Sequence, residues 1–402
     1  MPQFLREFLH GLIAILMKTV VRLTPSDVRH TSFVGDNSAG QLCRHILRTG
    51  ASKVLVVTDK PLRELGVVDR AVADLVAGGA DVAYYDGVLP DPTFDQVAEG
   101  ARQARAHDAD AILAIGGGSS MDAAKIIAAS ATSDESPVDW VGFGKVKHDI
   151  LKLYAIPTTS GTGSEATMGA VISDPVSHEK SIISGGVLLP LAVALDPELL
   201  AGLPPHITAA TGMDALTHAI EAYIGTWERG TRKEDSRVAV RLIFDNLAQA
   251  CKDGSDMEAR YGMAMGAYYA GIAINQVNVG NVHAIAHQLG GKYGIPHGLA
   301  NALVLPHVLE FCREEAEKEL AELAVLVGAG EAGEGDAVLS QKFIKVVRDL
   351  RTEVGISDTS EKIKREDFGA ITQLALAEGM GYFSPRLLDK ASVQAILSNI
   401  AG

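Results

Sequence analysis

The sequence is poor in cysteine. Cys43, Cys251 and Cys312 are the only three in 402 residues, and none stands in a C-x-x-C spacing. That excludes a disulfide framework and a thiolate zinc site and suits a reducing compartment, with each thiol expected in a buried core. Basic residues are in deficit as well: 36 Lys and Arg against 50 Asp and Glu leave a net charge of −14, with no basic run. A nucleic-acid partner is therefore not expected, because clustered cations are needed to displace counterions, and the acidic surface mainly serves solubility. Long apolar runs are missing too. "FLHGLIAILM" (8–17) lasts only ten residues before Lys18, too short for a membrane span. It leaves three readings: a cleaved signal, a membrane-surface helix, or a helix packed on this chain or a partner. Against the first, Arg6 is cancelled by Glu7 and no small-residue cleavage site follows. The packed helix and a cytoplasmic location are expected, without a membrane partner.

What is present is a well-buried globular composition, 47% hydrophobic and 21% charged, with length enough for two domains. "KVLVVTD" (53–59), "DVAYYDG" (81–87), "AILAIGGGSS" (111–120), "LKLYAIPTTSG" (151–161) and "LAVALDP" (191–197) read as strands ending in turn residues. Stretches such as 93–108 between them carry helical spacing. This alternation predicts a parallel sheet covered on both faces. After Pro204-Pro205 the chain becomes Ala- and Leu-rich with long helical patterns at 206–224, 235–253 and 257–274. A last helix is expected over 384–400, with Ser384 as N-cap and Pro385 in its first turn. The "GAGEAGEGDA" stretch (328–337) reads as an exposed loop. The division expected is an apolar extension (1–24), a Rossmann-like dinucleotide-binding α/β domain (25–203) and an all-α domain (204–402).

Ligands of open α/β sheets collect beyond the carboxyl ends of the strands. In "AIGGGSSMDAAK" (114–125), Gly116, Gly117 and Gly118 would let backbone approach a diphosphate, and the following helix start would meet its charge. The pattern is neither G-x-G-x-x-G nor a P-loop, and a plain tight turn is its alternative. "PTTSGTGSEA" (157–166) offers Thr158, Thr159 and Ser160 to ribose or phosphate oxygens, or simply as helix caps. Asp59 stands where a carboxylate would grip a ribose diol and repel a 2′-phosphate, favouring NAD over NADP. Alone it reads as a turn residue; together the three features favour a nucleotide site.

Histidines are few, twelve in the chain, yet His283, His287 and His297 fall within fifteen positions. His283 and His287 are four apart and share a helix face, as do Asp214 and His218. The pair of helices, with His297 beyond a glycine-rich turn, supplies enough donors for one divalent ion. Three imidazoles are hard to bury among so few aromatic partners (5% of residues) without a task. Glu221, one turn past His218, reads as a solvated or salt-bridged carboxylate rather than an extra ligand. His178, His206 and His307 read as ordinary surface or satisfied histidines.

"GGGSSMDAAK", "IPTTSGTGSE", "GMDALTHAIEAYI" and "HAIAHQLGGKYGIPHGLANA" together resemble the iron-containing, or group III, alcohol dehydrogenases, from about residue 25 to the C-terminus. The resemblance implies the dehydroquinate synthase-like/iron alcohol dehydrogenase fold and an oxidoreductase acting on CH–OH with NAD as acceptor. It would pass hydride between nicotinamide and a primary alcohol or diol, in either direction. It implies a divalent metal, Fe(II) first and Zn(II) second, held by Asp214, His218, His283 and His297. His287 would be the uncoordinated catalytic histidine near nicotinamide and substrate. Gly117, Gly118, Ser119, Asp122, Thr158, Thr159, Asp59 and Lys180 would contact NAD. A small alcohol or aldehyde substrate and a homodimer or higher homo-oligomer are further expectations. Two positions depart from the family pattern: Gln288, where many relatives carry Pro, and Ser384, in "SPR" where "NPR" is frequent. A sugar-phosphate cyclase of the same fold would need basic residues near the metal, and 212–225 and 281–301 offer only Lys292. A non-catalytic NAD- or metal-binding sensor would be expected to lose a ligand or the glycine loop, and both are intact.

Overall fold

The computed structural model describes residues 6, 8–13, 15, 30–176 and 179–402. The rest of the N-terminal segment and His178 lie outside the described residues. The five strands read from the sequence are β2 (Lys53–Val57), β3 (Asp81–Tyr85), β4 (Ala111–Gly116), β6 (Lys152–Pro157) and β9 (Ala192–Leu195). An unanticipated β1 (Thr31–Val34) joins them in a six-stranded, all-parallel sheet of order β1-β9-β6-β4-β2-β3. Alternation along β2 explains why both faces are apolar. Val54 and Val56 join Leu113, Ile115, Tyr154 and Ile156 in one core, while Leu55 and Val57 join Ile112, Ala114, Leu153 and Ala155 in another. The edge strands β1 and β3 are more exposed, which is why β1 escapes a search for apolar runs. A second, small sheet also went unforeseen: β5 (Gly142–Phe143), β7 (Gly169–Ser173) and β8 (Lys180–Ser184), in the order β5-β8-β7.

Helices α1 (Ser38–Arg48), α2 (Phe94–Ala106) and α3 (Gly118–Ser130) belong to this α/β unit. In α2, Thr93 caps the N-terminus by accepting from Gln96 N, and Val97, Gly100, Ala101 and Ala104 form the buried face. The unit comprises residues 28–203 and 254–268, so the later segment departs from the linear division drawn from sequence. Side-chain hydrogen bonds hold it there. Buried Arg260 donates to the carbonyls of Gly254 and Leu203, and the Tyr268 hydroxyl lies 2.7 Å from both His30 Nε2 and Ser32 Oγ.

The other unit comprises residues 1–27, 204–253 and 269–402. Its helices are α4 (Pro205–Ile224), α5 (Arg232–Lys252), the later part of α6 (Met257–Val277), α7 (Asn281–Tyr293), α8 (His297–Phe311), α9 (Glu317–Leu326), α10 (Asp336–Glu353), α11 (Phe368–Glu378) and α12 (Lys390–Ile400). Proline opens α4, and Gly225 follows it. The buried Arg232 guanidinium then takes the Ala222 and Tyr223 carbonyls that the helix end leaves over. The C-terminal helix begins later than the Ser-Pro signal suggests. Asp389, not Ser384, caps it through a reciprocal box with Ser392, while the Ser384 hydroxyl has no hydrogen-bond partner among the described residues. Cys43 and Cys312 are buried as expected; Cys251 is only partly so. Residues 8–13 are helical, tied down by Arg6 donating to the Leu388 and Leu376 carbonyls and by His10 at the Tyr382 carbonyl. No helix among the described residues is long and apolar enough to cross a membrane.

Candidate active site

In the α/β unit the two suspected loops lie against each other. Thr158 N donates to the Gly116 carbonyl at 2.9 Å, and α3 starts immediately after Gly117. Gly118 packs closely: a Cβ there would stand 2.6 Å from Thr162 Cγ2, so the Thr162 side chain would have to shift. Ser119 lies in the first turn of α3, whose opening N–H groups have no intrahelical partner. Asp59 is the N-cap of the short helix Lys60–Glu64, accepting from Leu62 N through Oδ1, and burial raises its pKa. Asp122 is used internally, since Oδ1 accepts from Ser164 Oγ at 2.6 Å and Oδ2 from Val171 N at 2.9 Å. Lys180 pairs with Asp91 at 2.7 Å.

Beneath these loops lies a residue that sequence reading overlooked. Lys125 is fully buried and donates to Ser164 Oγ, Thr167 Oγ1 and the Gly169 carbonyl, at 2.7, 3.1 and 2.5 Å. It ties α3 to the chain that follows β6. Desolvation pushes Lys125 down to about 8 and its buried neighbour Glu165 up to about 7.

In the helical unit α4 supplies Asp214 and His218, α7 supplies His283 and His287, and α8 supplies His297. The donor atoms of Asp214, His218, His283 and His297 all lie within 4.8 Å of one another. A single ion can draw such a set together with bonds of roughly 2.0–2.2 Å. From Asp214 Oδ1 it is 3.9 Å to His218 Nε2 and 3.4 Å to His297 Nε2, and the His218 and His283 rings stack at 4.8 Å. Three of the four side chains are at most 6% exposed, whereas His297 is 33% exposed and His287 21%. The donor set is therefore closed on one side and open on the other, as a catalytic metal site requires.

The donor set fits a divalent cation for a further reason. Glu221 Oε2 lies 2.6 Å from His283 Nδ1, and the Glu221 carboxylate also accepts from Gly280 N and Val282 N. A ring that donates its Nδ1 proton to a carboxylate keeps the Nε2 lone pair for a metal. Burial, then the neighbouring His218, His297 and His287, hold His283 well below the ordinary imidazole pKa, so it is neutral. Burial also pushes Glu221 up to about 8. Glu221 is thus neither solvated nor a fifth donor; it orients one. Its place on the Asp214 and His218 face of α4 is the sequence signal that could have revealed this. Asn301, four residues past His297 and fully buried, donates from Nδ2 to Asp214 Oδ1 at 2.6 Å. Glu221→Gln is expected to weaken zinc binding about 10- to 100-fold with the circular dichroism spectrum unchanged. Competition against a chelator measures this, and an unaltered affinity would remove Glu221 from the site.

Comparison with known proteins decides the assignment. Residues 30–197 match the model of the iron-containing alcohol dehydrogenase, and residues 208–401 that of the Fe-containing alcohol dehydrogenase family, C-terminal. The chain belongs to the iron-containing alcohol dehydrogenase family. It is 36% identical over 373 residues to the 1,3-propanediol dehydrogenase of Klebsiella pneumoniae, covering 92% of this chain and 96% of that one. It is 34% identical to the NAD-dependent methanol dehydrogenase of Bacillus methanolicus, covering 92% and 97%. A crystal structure of a 1,3-propanediol oxidoreductase superposes with a TM-score of 0.89 at 36% identity, covering 92% of this chain and 97% of that one. The fold and oxidoreductase class expected from the sequence are those of the family, and neither the cyclase nor the sensor reading gains support. Lys292, the one basic residue the cyclase reading could use, is committed to Asp367 at 3.0 Å.

Proposed function

We propose that the protein interconverts a small primary alcohol or diol and its aldehyde, passing hydride to or from NAD. The observation that carries this reading is the buried Asp214, His218, His283 and His297 set, open on the His297 and His287 side. Asp214, His218, His283 and His297 would hold a divalent ion, iron first and zinc second, which would supply Lewis-acid polarisation of the alcohol or carbonyl oxygen. His287 stands beside that set, its ring stacked on His297 at 5.2 Å, and exchanges the hydroxyl proton with solvent. The backbone at Gly117, Gly118 and Ser119 receives the NAD diphosphate at the start of α3. Thr158 and Thr159 add hydroxyl contacts. Asp122 acts by holding the Ser164 loop against α3, and Lys180 contributes positive charge nearby. A homo-oligomer in the cytosol is the assembly and location we propose.

Asp59 sets the coenzyme. One of its oxygens caps Leu62 N, and the carboxylate charge disfavours a 2′-phosphate. The test follows reduced-nicotinamide absorbance anaerobically, with metal-stripped protein given Fe(II) or Zn(II) and a panel of short alcohols and diols. We expect metal-dependent turnover with NAD, and a gain of about tenfold or more in relative NADP use in Asp59→Gly. Turnover independent of added metal would sink the mechanism, and unchanged coenzyme preference would sink the role of Asp59.

A further inference from the structure

We infer that Glu378, at the end of α11, is the positioning residue for His287, and that Gln288 and Tyr382 hold Glu378 in place for that task. The inference rests on the reading of His287 as the proton-carrying histidine. Glu378 lies 91 residues from His287 in sequence, and no motif joins them. In the fold, its Oε1 accepts from His287 Nδ1 at 2.6 Å and from the Tyr382 hydroxyl at 2.6 Å, while Oε2 accepts from Gln288 Nε2 at 2.6 Å. Three side-chain donors converge on one partly buried carboxylate. Burial, then the Glu378 charge, keep the Tyr382 phenol protonated, so it serves as a donor throughout.

The consequence is geometric. A ring whose Nδ1–H is committed to a carboxylate and whose face stacks on His297 can neither spin about its Cβ–Cγ bond nor exchange its two nitrogens. Nε2 is then the nitrogen left to meet a hydroxyl proton. A carboxylate behind an imidazole has two effects in general acid–base sites: it selects the tautomer, and it stabilises the imidazolium that forms when the proton arrives. Here that carboxylate is itself oriented from both sides. Gln288 also reaches the Ala284 carbonyl one turn back at 3.2 Å, which fixes its amide along α7. Gln288 thereby holds the second oxygen of Glu378 from the same helix that carries His287.

The experiment uses the full-length, zinc-loaded protein. In proton and nitrogen NMR with labelled histidine, the His287 Nδ1–H resonance is assigned by its loss in His287→Ala. Glu378→Gln is expected to move or abolish that resonance and lower kcat about 100-fold, with KM for alcohol and NAD and zinc content changing less than about threefold. Glu378→Asp is expected to recover at least about a tenth of the wild-type kcat, and Gln288→Leu to lose about three- to tenfold. In the double variant with His287→Ala, the Glu378→Gln loss should disappear, because Glu378 acts only through that ring. Retention of kcat within threefold in Glu378→Gln, additive losses in the double variant, or a parallel fall in zinc content would each overturn the inference. Should His287→Ala itself turn over normally while His283→Ala does not, the reading of His287 fails first and takes Glu378 with it.

Discussion

His283→Ala is expected to abolish turnover, with kcat falling by about a thousandfold or more and bound metal dropping to a small fraction of an equivalent. Two losses add. One of four donors disappears, and the Glu221 carboxylate that donor satisfied is left fully buried with only backbone partners. Removing one hydrogen-bond partner from a buried group costs about 1–3 kcal/mol, so a lower melting temperature should accompany the catalytic loss. His297→Ala provides the contrast: its side chain is partly exposed, so metal affinity should fall with little change in melting. Elemental analysis, NADH absorbance and thermal melts on both variants separate the effects. A His283→Ala protein that keeps its metal and turns over would contradict the ligand set.

Gly298→Ala should also be damaging, although it adds only a methyl group. A Cβ at Gly298 would stand 2.3 Å from the Ala210 carbonyl oxygen, 2.8 Å from its carbon and 3.2 Å from Asp214 Cβ. The obstructing atoms are mostly backbone of α4 and cannot rotate aside, so α8 must move away from α4. That motion draws His297 from Asp214. Alanine is the better helix former by roughly 1 kcal/mol, whereas overpacking a fixed contact costs about 1–3 kcal/mol. Sterics wins, and a further loss of about tenfold in metal affinity is expected from the displaced donors. Gly291→Ala is the control, since nothing lies within 4 Å of its added carbon, and it should leave melting unchanged or raise it slightly. Equal melting temperatures and zinc affinities for Gly298→Ala and wild type would show that α8 does not need this close approach.

The features legible in sequence share one property: they are periodic or local. The four interior strands β2, β4, β6 and β9 announce themselves because a strand covered on both faces must be apolar throughout, as β4 is. The 214/218 and 283/287 pairs are legible because helix geometry brings positions four apart together. Edge strand β1 is four residues long and mostly exposed and β5 has only two residues, so no apolar run marks either. Ser384-Pro385 imitates a helix start, but the nearby Asp389 forms a reciprocal cap with Ser392 that Ser384 lacks. Asp122 illustrates another limit. The motif places it beside the glycine loop, and only the fold shows its two oxygens accepting from Ser164 Oγ and Val171 N.

By itself the sequence determined the parallel sheet, the change to helices after Pro204-Pro205, the glycine and hydroxyl loops and the donor types, because each follows from residue spacing within one element. The tertiary structure decided which donors converge and what stands behind them. Glu221 behind His283, Asn301 beside Asp214 and Glu378 behind His287 join different helices across 62, 87 and 91 residues. No periodicity spans such separations, and helix packing alone sets which side chains meet.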